Sequence, residues 1–495
     1  MIVQYNIVFM NSRLVMDNFW ALLCTVLVVG CGGSGTSPAV GLQPLNPAPP
    51  PATPQWQEQP VVLPNPNTYF VTTCMEPVIQ FVLPTKLNDD EHTDFIVHYW
   101  CGIPYGGPVD LVDPTDDLLV AWASDGLGSY SVVNYEVFGD SYPELGSASR
   151  KVAVKDINDD GMPDFAFATN SEDGRLTGGA DDQDQAYANG AYPTILLSGE
   201  NFTYTINNIG IWDWGHAVDF APNGDAVFAG YLWTADQQAF RLQDNEFVDV
   251  SNEYPLILAN AFRFGTEYLV NATVPNGINA IELWQNKTLV DVWLREPLFS
   301  VDVSGVLTPV VNVNGMLVYD GAINDICVMD INDVETFVFH TSTYRLKDGS
   351  DLQEGYNYNT DDFSEAIMLE FFQVENNALV LKENPLEQTY DASFNFFTCT
   401  DINNDGLDDI QIQKWSGRHG ESRETGGIPD VFLQHSSGFD RLDTSDWPTY
   451  STLHERTQRV GDLYDINSDG FADLILYESD VALGDIEIYL GNKDL

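Results

Sequence analysis

The chain has 495 residues and carries 20 Lys+Arg against 74 Asp+Glu, a formal net charge of −54 at pH 7. That balance excludes a nucleic-acid binder, because neutralising phosphates takes Lys and Arg, and it excludes docking of the folded body on anionic lipid. Hydrophobic residues make up 44% and aromatics 12%, far above a disordered acidic chain, so this is a folded protein.

In chain order, the first feature is an apolar run of 11 residues, Phe19 to Val29, with Arg13 upstream. It is too short to span a bilayer and fits the core of a signal peptide, assigned here to residues 1–30. The run ends in Val28-Val29-Gly30-Cys31, which resembles the lipobox of bacterial lipoproteins. The resemblance implies lipidation at Cys31, and Gly32 after it points to the outer membrane rather than inner-membrane retention. The protein would then face the periplasm or the cell surface, touching membrane through the lipid alone. An ordinary cleaved signal is the alternative. Residues 31–67 hold the Cys and a Gly/Pro-rich stretch around Pro49-Pro50-Pro51. Such a stretch acts as a partly extended spacer.

Beyond Cys24 and Cys31 lie Cys74, Cys101, Cys327 and Cys399. Cys74–Cys101 is a candidate pair, flanking the first β-rich segment. Cys327 and Cys399 precede corresponding loops in different repeats and are expected as buried free thiols. No CxxC is present, so a structural zinc site has no support.

Residues 68–495 contain a repeat. Three loops share one pattern: Asp156-Ile157-Asn158-Asp159-Asp160-Gly161 ending at Asp164, Asp401-Ile402-Asn403-Asn404-Asp405-Gly406 ending at Asp409, and Asp465-Ile466-Asn467-Ser468-Asp469-Gly470 ending at Asp473. Each lies between two strand-like runs. Positions 1, 3 and 5 can turn side-chain oxygens into one tight loop, and a hard cation such as Ca2+ takes six to eight oxygens. Position 6 is Gly because the chain turns sharply there. Position 7 offers a backbone carbonyl, from Met162, Leu407 or Phe471, and position 9 a last carboxylate. The expected ligands are Asp156, Asn158, Asp160, Met162 and Asp164; Asp401, Asn403, Asp405, Leu407 and Asp409; and Asp465, Asn467, Asp469, Phe471 and Asp473. An EF-hand would need Glu at position 12, where Phe167, Ile412 and Leu476 stand.

Weaker copies are expected at Asn88–Asp94, Asp219–Asp225, Val274–Gly277 and Asp330–Glu335, keeping the turn while binding Ca2+ weakly or not at all. With position 9 as the marker, the repeats recur roughly every 63 residues. Blade two reads as four strands, Val152–Lys155, Phe165–Thr169, Thr194–Ser198 and Phe202–Ile206. Four antiparallel strands per repeat is the unit of a β-propeller blade. The expected fold is therefore all-β, a seven-bladed β-propeller. After Asp473 the chain can supply two further strands, so the missing outer strand of the last blade is expected from the N-terminal side, around Tyr69–Thr73.

These loops and their strand context resemble the FG-GAP/VCBS repeat family, found in integrin α-subunit propellers and many bacterial surface proteins. The resemblance implies that the strand before each calcium loop lines the central channel. It also implies that ligand meets the face opposite those loops. On that face, in blade six, the loop 415–430 carries the candidate ligand residues Arg418, His419, Glu421 and Arg423. No GxSxG, HExxH or Walker loop is present, and the seven His are scattered. The leading expectation is a calcium-stabilised binding or adhesion module for a protein or a carbohydrate. A polysaccharide-active hydrolase or lyase, or a scaffold subunit of an envelope complex, is the alternative.

The three loops hold 11 of the 74 acidic residues. Most of the acidity is therefore expected as a solvated surface, suited to a saline medium that screens self-repulsion.

Overall fold

A computed structural model describes residues 60–63 and, between 77 and 491, the strands and tight turns. Residues 1–59, 64–76 and 492–495 lie outside the described residues, as do 102–116, 169–191, 212–216, 231–236, 274–279, 347–362, 413–428, 443–458, 479–484 and shorter connections. The signal, Cys31, Cys74 and the spacer up to residue 59 therefore fall outside it. All described residues belong to one compact unit. Among them no helix is long and apolar enough to cross a membrane.

Seven antiparallel four-stranded sheets, six of them from consecutive strands, form a seven-bladed β-propeller. Blade one is Pro77–Thr85, Asp94–Cys101, Asp117–Ser124 and Tyr130–Val132. Blade two is Val152–Lys155, Asp164–Phe167, Thr194–Gly199 and Thr203–Asn208, close to the strands read from sequence. Blade three is Val218–Phe220, Ala226–Phe228, Gln238–Gln243 and Glu246–Asp249. Blade four is Ala261–Phe264, Leu269–Thr273, Ala280–Gln285 and Thr288–Leu294. A small three-stranded sheet, built on Phe299–Val301, follows it. Blade five is Ala322–Ile331, Val334–Leu346, Phe363–Glu375 and Ala378–Leu381. Blade six is Phe397–Thr400, Asp409–Ile412, Asp430–His435 and Gly438–Arg441. Blade seven is Arg459–Tyr464, Asp473–Glu478, Ile486–Tyr489 and, from the other end of the chain, Val61–Val62.

The last pairing closes the ring. Val61 stands opposite Ile488 and Val62 opposite Glu487, and Leu63 N donates to Ile486 O at 3.0 Å. Closure by an N-terminal strand was expected, but at Tyr69–Thr73, which lies outside the described residues. The strand lies earlier, inside the stretch assigned to the spacer. The signal was a short one, Val61-Val62-Leu63 between prolines.

The second strands are buried on both faces, which explains why several read as continuous apolar runs rather than alternating ones, while the fourth strands are largely exposed. In blade two, Phe165 and Phe167 pack toward blade one, with Leu83, Ile96 and Leu119. Ala166 and Ala168 pack toward blade three, with Val218, Phe220 and Phe228. Successive side chains point to opposite faces, so each strand serves two interfaces. The same rule sends Leu474 and Leu476 to blade six, and Ile475 and Tyr477 to blade one. A blade leaves both faces apolar, and only stacking around a ring buries them.

Three further expectations are corrected. The blade-four turn between its first two strands is not Val274–Gly277. It is the tight link after Phe264, where Gly265 N donates to Tyr268 O at 2.8 Å. The Val274–Gly277 stretch instead joins the second and third strands. In blade five, Asp330 and Ile331 end the first strand, and Asn332 and Asp333 form a two-residue turn with φ of 54° and 60°. That is a hairpin geometry, which Asn and Asp tolerate, and it leaves no room for a chelating loop. Finally, Cys327 and Cys399 are not free thiols. They form a disulfide with Cα atoms 5.9 Å apart, joining the first strands of blades five and six. Their shared position in successive repeats, read as a reason to keep them apart, is what places them side by side.

Candidate metal loops and the opposite face

The three Asp-rich loops have one geometry. The position-1 carboxylate accepts the N–H groups of positions 5 and 6: Asp156 from Asp160 at 3.2 Å and Gly161 at 2.8 Å, Asp401 from Asp405 at 3.1 Å and Gly406 at 2.8 Å, and Asp465 from Asp469 at 3.1 Å and Gly470 at 3.0 Å. The position-3 Asn Oδ1 accepts the position-5 N–H at 3.0–3.1 Å, and the position-5 Asp Oδ1 accepts the position-7 N–H at 2.8–2.9 Å. These are Asx turns laid end to end. The turn requires positive φ at position 6, and Gly161, Gly406 and Gly470 adopt 85°, 86° and 88°.

Position 9 has a second task. Asp164, Asp409 and Asp473 are 0% exposed. Each accepts the N–H of loop position 2 on one oxygen, from Ile157 at 2.8 Å, Ile402 at 2.9 Å and Ile466 at 2.7 Å. The other oxygen accepts a backbone N–H at or just beyond the third strand, from Ser198 at 2.7 Å, Gln434 at 2.7 Å and Gly491 at 2.5 Å. This carboxylate clamps the loop to the blade. Blade one keeps the clamp: Asp94 accepts from Leu87 at 2.5 Å and Ser124 at 2.7 Å. Its loop repeats the Asx pattern too, through Asn88 and Asp90, although Lys86 holds position 1. A buried aspartate at position 9 therefore has a structural reason that needs no metal.

The charge does not vanish with the clamp. Burial, with Asp405 and Asp401 nearby, pushes the Asp409 carboxyl up to about 7. Burial, with Asp469 and Asp465, does the same to Asp473, also about 7. Asp164 is raised by burial, with Asp160 adding to it, and Asp94 is raised to about 6 by burial. Among the described residues no Lys or Arg pairs with Asp164, Asp409 or Asp473. Blade three is different. Its buried carboxylate is Asp225, two residues before the Val227 position expected from spacing. Arg241 Nε donates to Asp225 Oδ1 at 2.8 Å, Nη2 to Oδ2 at 2.6 Å, and Tyr254 OH to Oδ2 at 2.6 Å.

The donors in the three loops are carboxylate, amide and carbonyl oxygens, a set suited to a hard divalent cation and not to a soft one. As they stand, the side chains face their own backbone, and among the described residues no three His, Cys, Asp or Glu converge on one point. An ionised carboxylate has about four acceptor sites, so the N–H bonds that shape each loop leave lone pairs over. The residues fit Ca2+ by chemistry.

A second charged group sits beside the channel-lining strands. Lys151 Nζ lies 3.2 Å from Asp325 Oδ1, and Arg263 lies 3.7 Å from Asp325 and 3.8 Å from Asp219. Blades two, three, four and five thus share one network. Burial alone would raise the Asp325 carboxyl, but Lys151 and Arg263 hold it below the usual range. Burial lowers Lys151, and lowers the nearby His340 to about 4. The network itself did not stand out in the sequence, because its partners are 44 or more positions apart and meet only across the ring.

Strand direction sorts the connections. Links from first to second and third to fourth strands emerge on the face of the Asp-rich loops. Links from second to third strands, and from blade to blade, emerge on the other face. Arg418, His419, Glu421 and Arg423 belong to such a link in blade six, between Asp409–Ile412 and Asp430–His435. They lie outside the described residues. A depression of about 450 Å3 between blades two and three is lined by residues including Ile211, Gln237, Asp249, Tyr254 and Leu256, and the Tyr254 hydroxyl reaches Asp225 on the Asp-rich side at 2.6 Å.

No family model matches the chain. No curated protein matches it. Among solved structures, it is similar to the lignostilbene dioxygenase of Pseudomonas brassicacearum, at 10% identity and a TM-score of 0.35, over 84% of this chain and 94% of that one. At that distance the likeness carries no argument about activity.

Proposed function

We propose that this propeller is a calcium-stabilised binding module, held at a bacterial outer membrane through a lipid on Cys31, with ligand meeting the face opposite the calcium loops. In this reading the chain is a divergent FG-GAP/VCBS-type propeller. Ca2+ would be held by Asp156, Asn158, Asp160, the Met162 carbonyl and Asp164, and by the matching residues of the loops at 401–409 and 465–473. When bound it supplies positive charge to buried carboxylates. The observation that carries the reading is the contrast with blade three. There a guanidinium neutralises the buried aspartate, whereas in blades two, six and seven no Lys or Arg among the described residues pairs with it and neighbouring loop carboxylates raise it further. A divalent cation answers that electrostatic problem. The Cys327–Cys399 bridge supports export, since structural disulfides persist in oxidising compartments.

Titration calorimetry of the metal-stripped protein tests this. The expected stoichiometry is three Ca2+ per chain, with affinity about 10⁻⁴–10⁻³ M as in extracellular modules. Asp405→Ala should bind one fewer, and Asp159→Ala, at a non-ligand position, should bind the full complement. Absence of calcium uptake would sink the metal claim.

A further inference from the structure

We infer that the tethered chain joins the ring on the side of the Asp-rich loops, so that the propeller turns those loops toward the membrane and presents its other face to partners arriving from the surrounding medium. This rests on the lipid-anchor reading above and adds an orientation to it.

The direction of the closing strand carries the inference. In blade seven the third strand, Ile486–Tyr489, ends on the Asp-rich side, because Gly491 N just beyond it donates to the loop carboxylate of Asp473 at 2.5 Å. The closing strand runs antiparallel to it, with Val61 opposite Ile488 and Val62 opposite Glu487, and Leu63 N donates to Ile486 O at 3.0 Å. From Val61 to Leu63 the chain therefore moves away from the Asp-rich side, and Pro60 marks the Asp-rich end of the strand. Blade one agrees. Its first strand starts at Pro77, opposite Cys101, and reaches the Asp-rich side at Thr85, opposite Asp94. The chain thus leaves the closing strand on the face where blade one begins, as a blade-to-blade link requires.

The junction is a fixed point on the ring. Leu63 is 3% exposed and belongs to a cluster with Tyr477, Ile486 and Ile488 of blade seven and Phe95 and Val97 of blade one, against which Val61 also packs. Between Cys31 and Pro60 stand 28 residues, 32–59. As a flexible coil that length spans about 30 Å, comparable with the radius of gyration of about 22 Å expected for a folded body of this size. The ring is then held by the Asp-rich side of its blade-seven edge, and its other face is on average the more distant one. With a net charge of −54, neither face is drawn onto an anionic leaflet, so the tether decides the orientation.

The orientation says where a partner comes from. A protein in the same membrane meets the blade-seven edge and the Asp-rich loops first. A soluble ligand, or one on a facing surface, meets the face of the links between second and third strands.

The test uses the full chain with its native lipid, added with calcium to preformed phosphatidylcholine vesicles that carry an energy-transfer acceptor lipid. One clickable fluorophore replaces Asp159 or Ser468, exposed in the Asp-rich loops, or Asp140, exposed between blades one and two on the other face. Strands of four to six residues separate the faces by about 15–20 Å, so transfer from Asp159 and Ser468 should exceed that from Asp140 about twofold. Inserting about 60 Gly/Ser residues after Ala52 nearly doubles the span of the tether and should shrink that difference. Equal transfer from all three positions, stronger transfer from Asp140, or a difference that the insertion leaves unchanged would overturn the inference. Mass spectrometry of Cys31 separates the two readings. Acylated Cys31 with the wrong order of transfer sinks the orientation alone, whereas unmodified Cys31 sinks the anchor and the orientation with it.

Discussion

Asp225 and Arg241 form a two-point ion pair, Nε to Oδ1 at 2.8 Å and Nη2 to Oδ2 at 2.6 Å, with the aspartate 0% exposed. The pair occupies the place in blade three where blades two, six and seven put a buried aspartate among other carboxylates. One propeller thus contains two answers to the same buried charge, a covalently attached cation and a set of oxygens suited to a free one.

Arg241→Gln should therefore destabilise the protein equally with and without calcium. Removing one partner of a fully buried pair costs roughly 3–5 kcal/mol. Arg241 is about a third exposed, so about 2 kcal/mol is expected, read from the urea midpoint at unchanged slope. A loss that calcium rescues would mean that blade three binds metal too.

Reduction of the Cys327–Cys399 bridge, which closes a separation of 72 residues, should also destabilise. Loop-closure entropy gives about 4 kcal/mol for a loop of that length. Both cysteines lie on neighbouring inner strands, so the double Ser variant should keep the ring, and near-ultraviolet circular dichroism should be native at 25 °C.

How these features escape or announce themselves in sequence follows from the range of the interactions. The Asx turns were legible because Asp156 and Gly161, or Asp401 and Gly406, are five positions apart and their spacing is the geometry. The seven-blade ring was legible because second strands such as Asp164–Phe167 and Asp409–Ile412 recur in register. The Asp225–Arg241 pair was not, since a lone Arg in a strand looks like any solvated charge. The same holds for Lys151 and Asp325, 174 positions apart. The cysteines failed for a related reason: equivalent positions in successive blades are adjacent in space, a fact of ring geometry that spacing alone does not weigh.

The pH dependence should contain opposing parts: the lowered His340 pulls one way, and the raised carboxyls of Asp94, Asp409 and Asp473 pull the other. His340 is lowered to about 4 by burial. The unfolded chain takes up that proton near the ordinary His value, so the contribution is full at neutral pH and is lost as pH falls below about 6.5. Asp94 is raised to about 6 by burial. Its ionised form is disfavoured in the fold, so its contribution is full below about 4 and is lost as pH rises through about 6. Between pH 7 and 5, His340 should cost about 2 kcal/mol and Asp94 return about 1 kcal/mol. Subtracting the stability of a His340→Gln variant from the parent at each pH isolates the first part. A difference that is flat across this range would contradict it.

With a formal charge of −54 and few of its carboxylates in the loops, the surface should need screening. At saturating calcium, the melting temperature should rise as NaCl goes from about 10 mM to 0.5 M, since the Debye length shrinks from about 30 Å to a few ångströms. A melting temperature independent of salt would remove the idea of a charge-strained surface.

The most direct test of the calcium account is differential scanning calorimetry of the full chain, first after chelation with metal removal verified, then with calcium restored. The account predicts a lower melting temperature in the stripped protein, full recovery with calcium, and a smaller calcium-induced rise in Asp405→Ala and Asp469→Ala. An identical melting temperature in both states would contradict it, and would leave the buried aspartates as clamps alone.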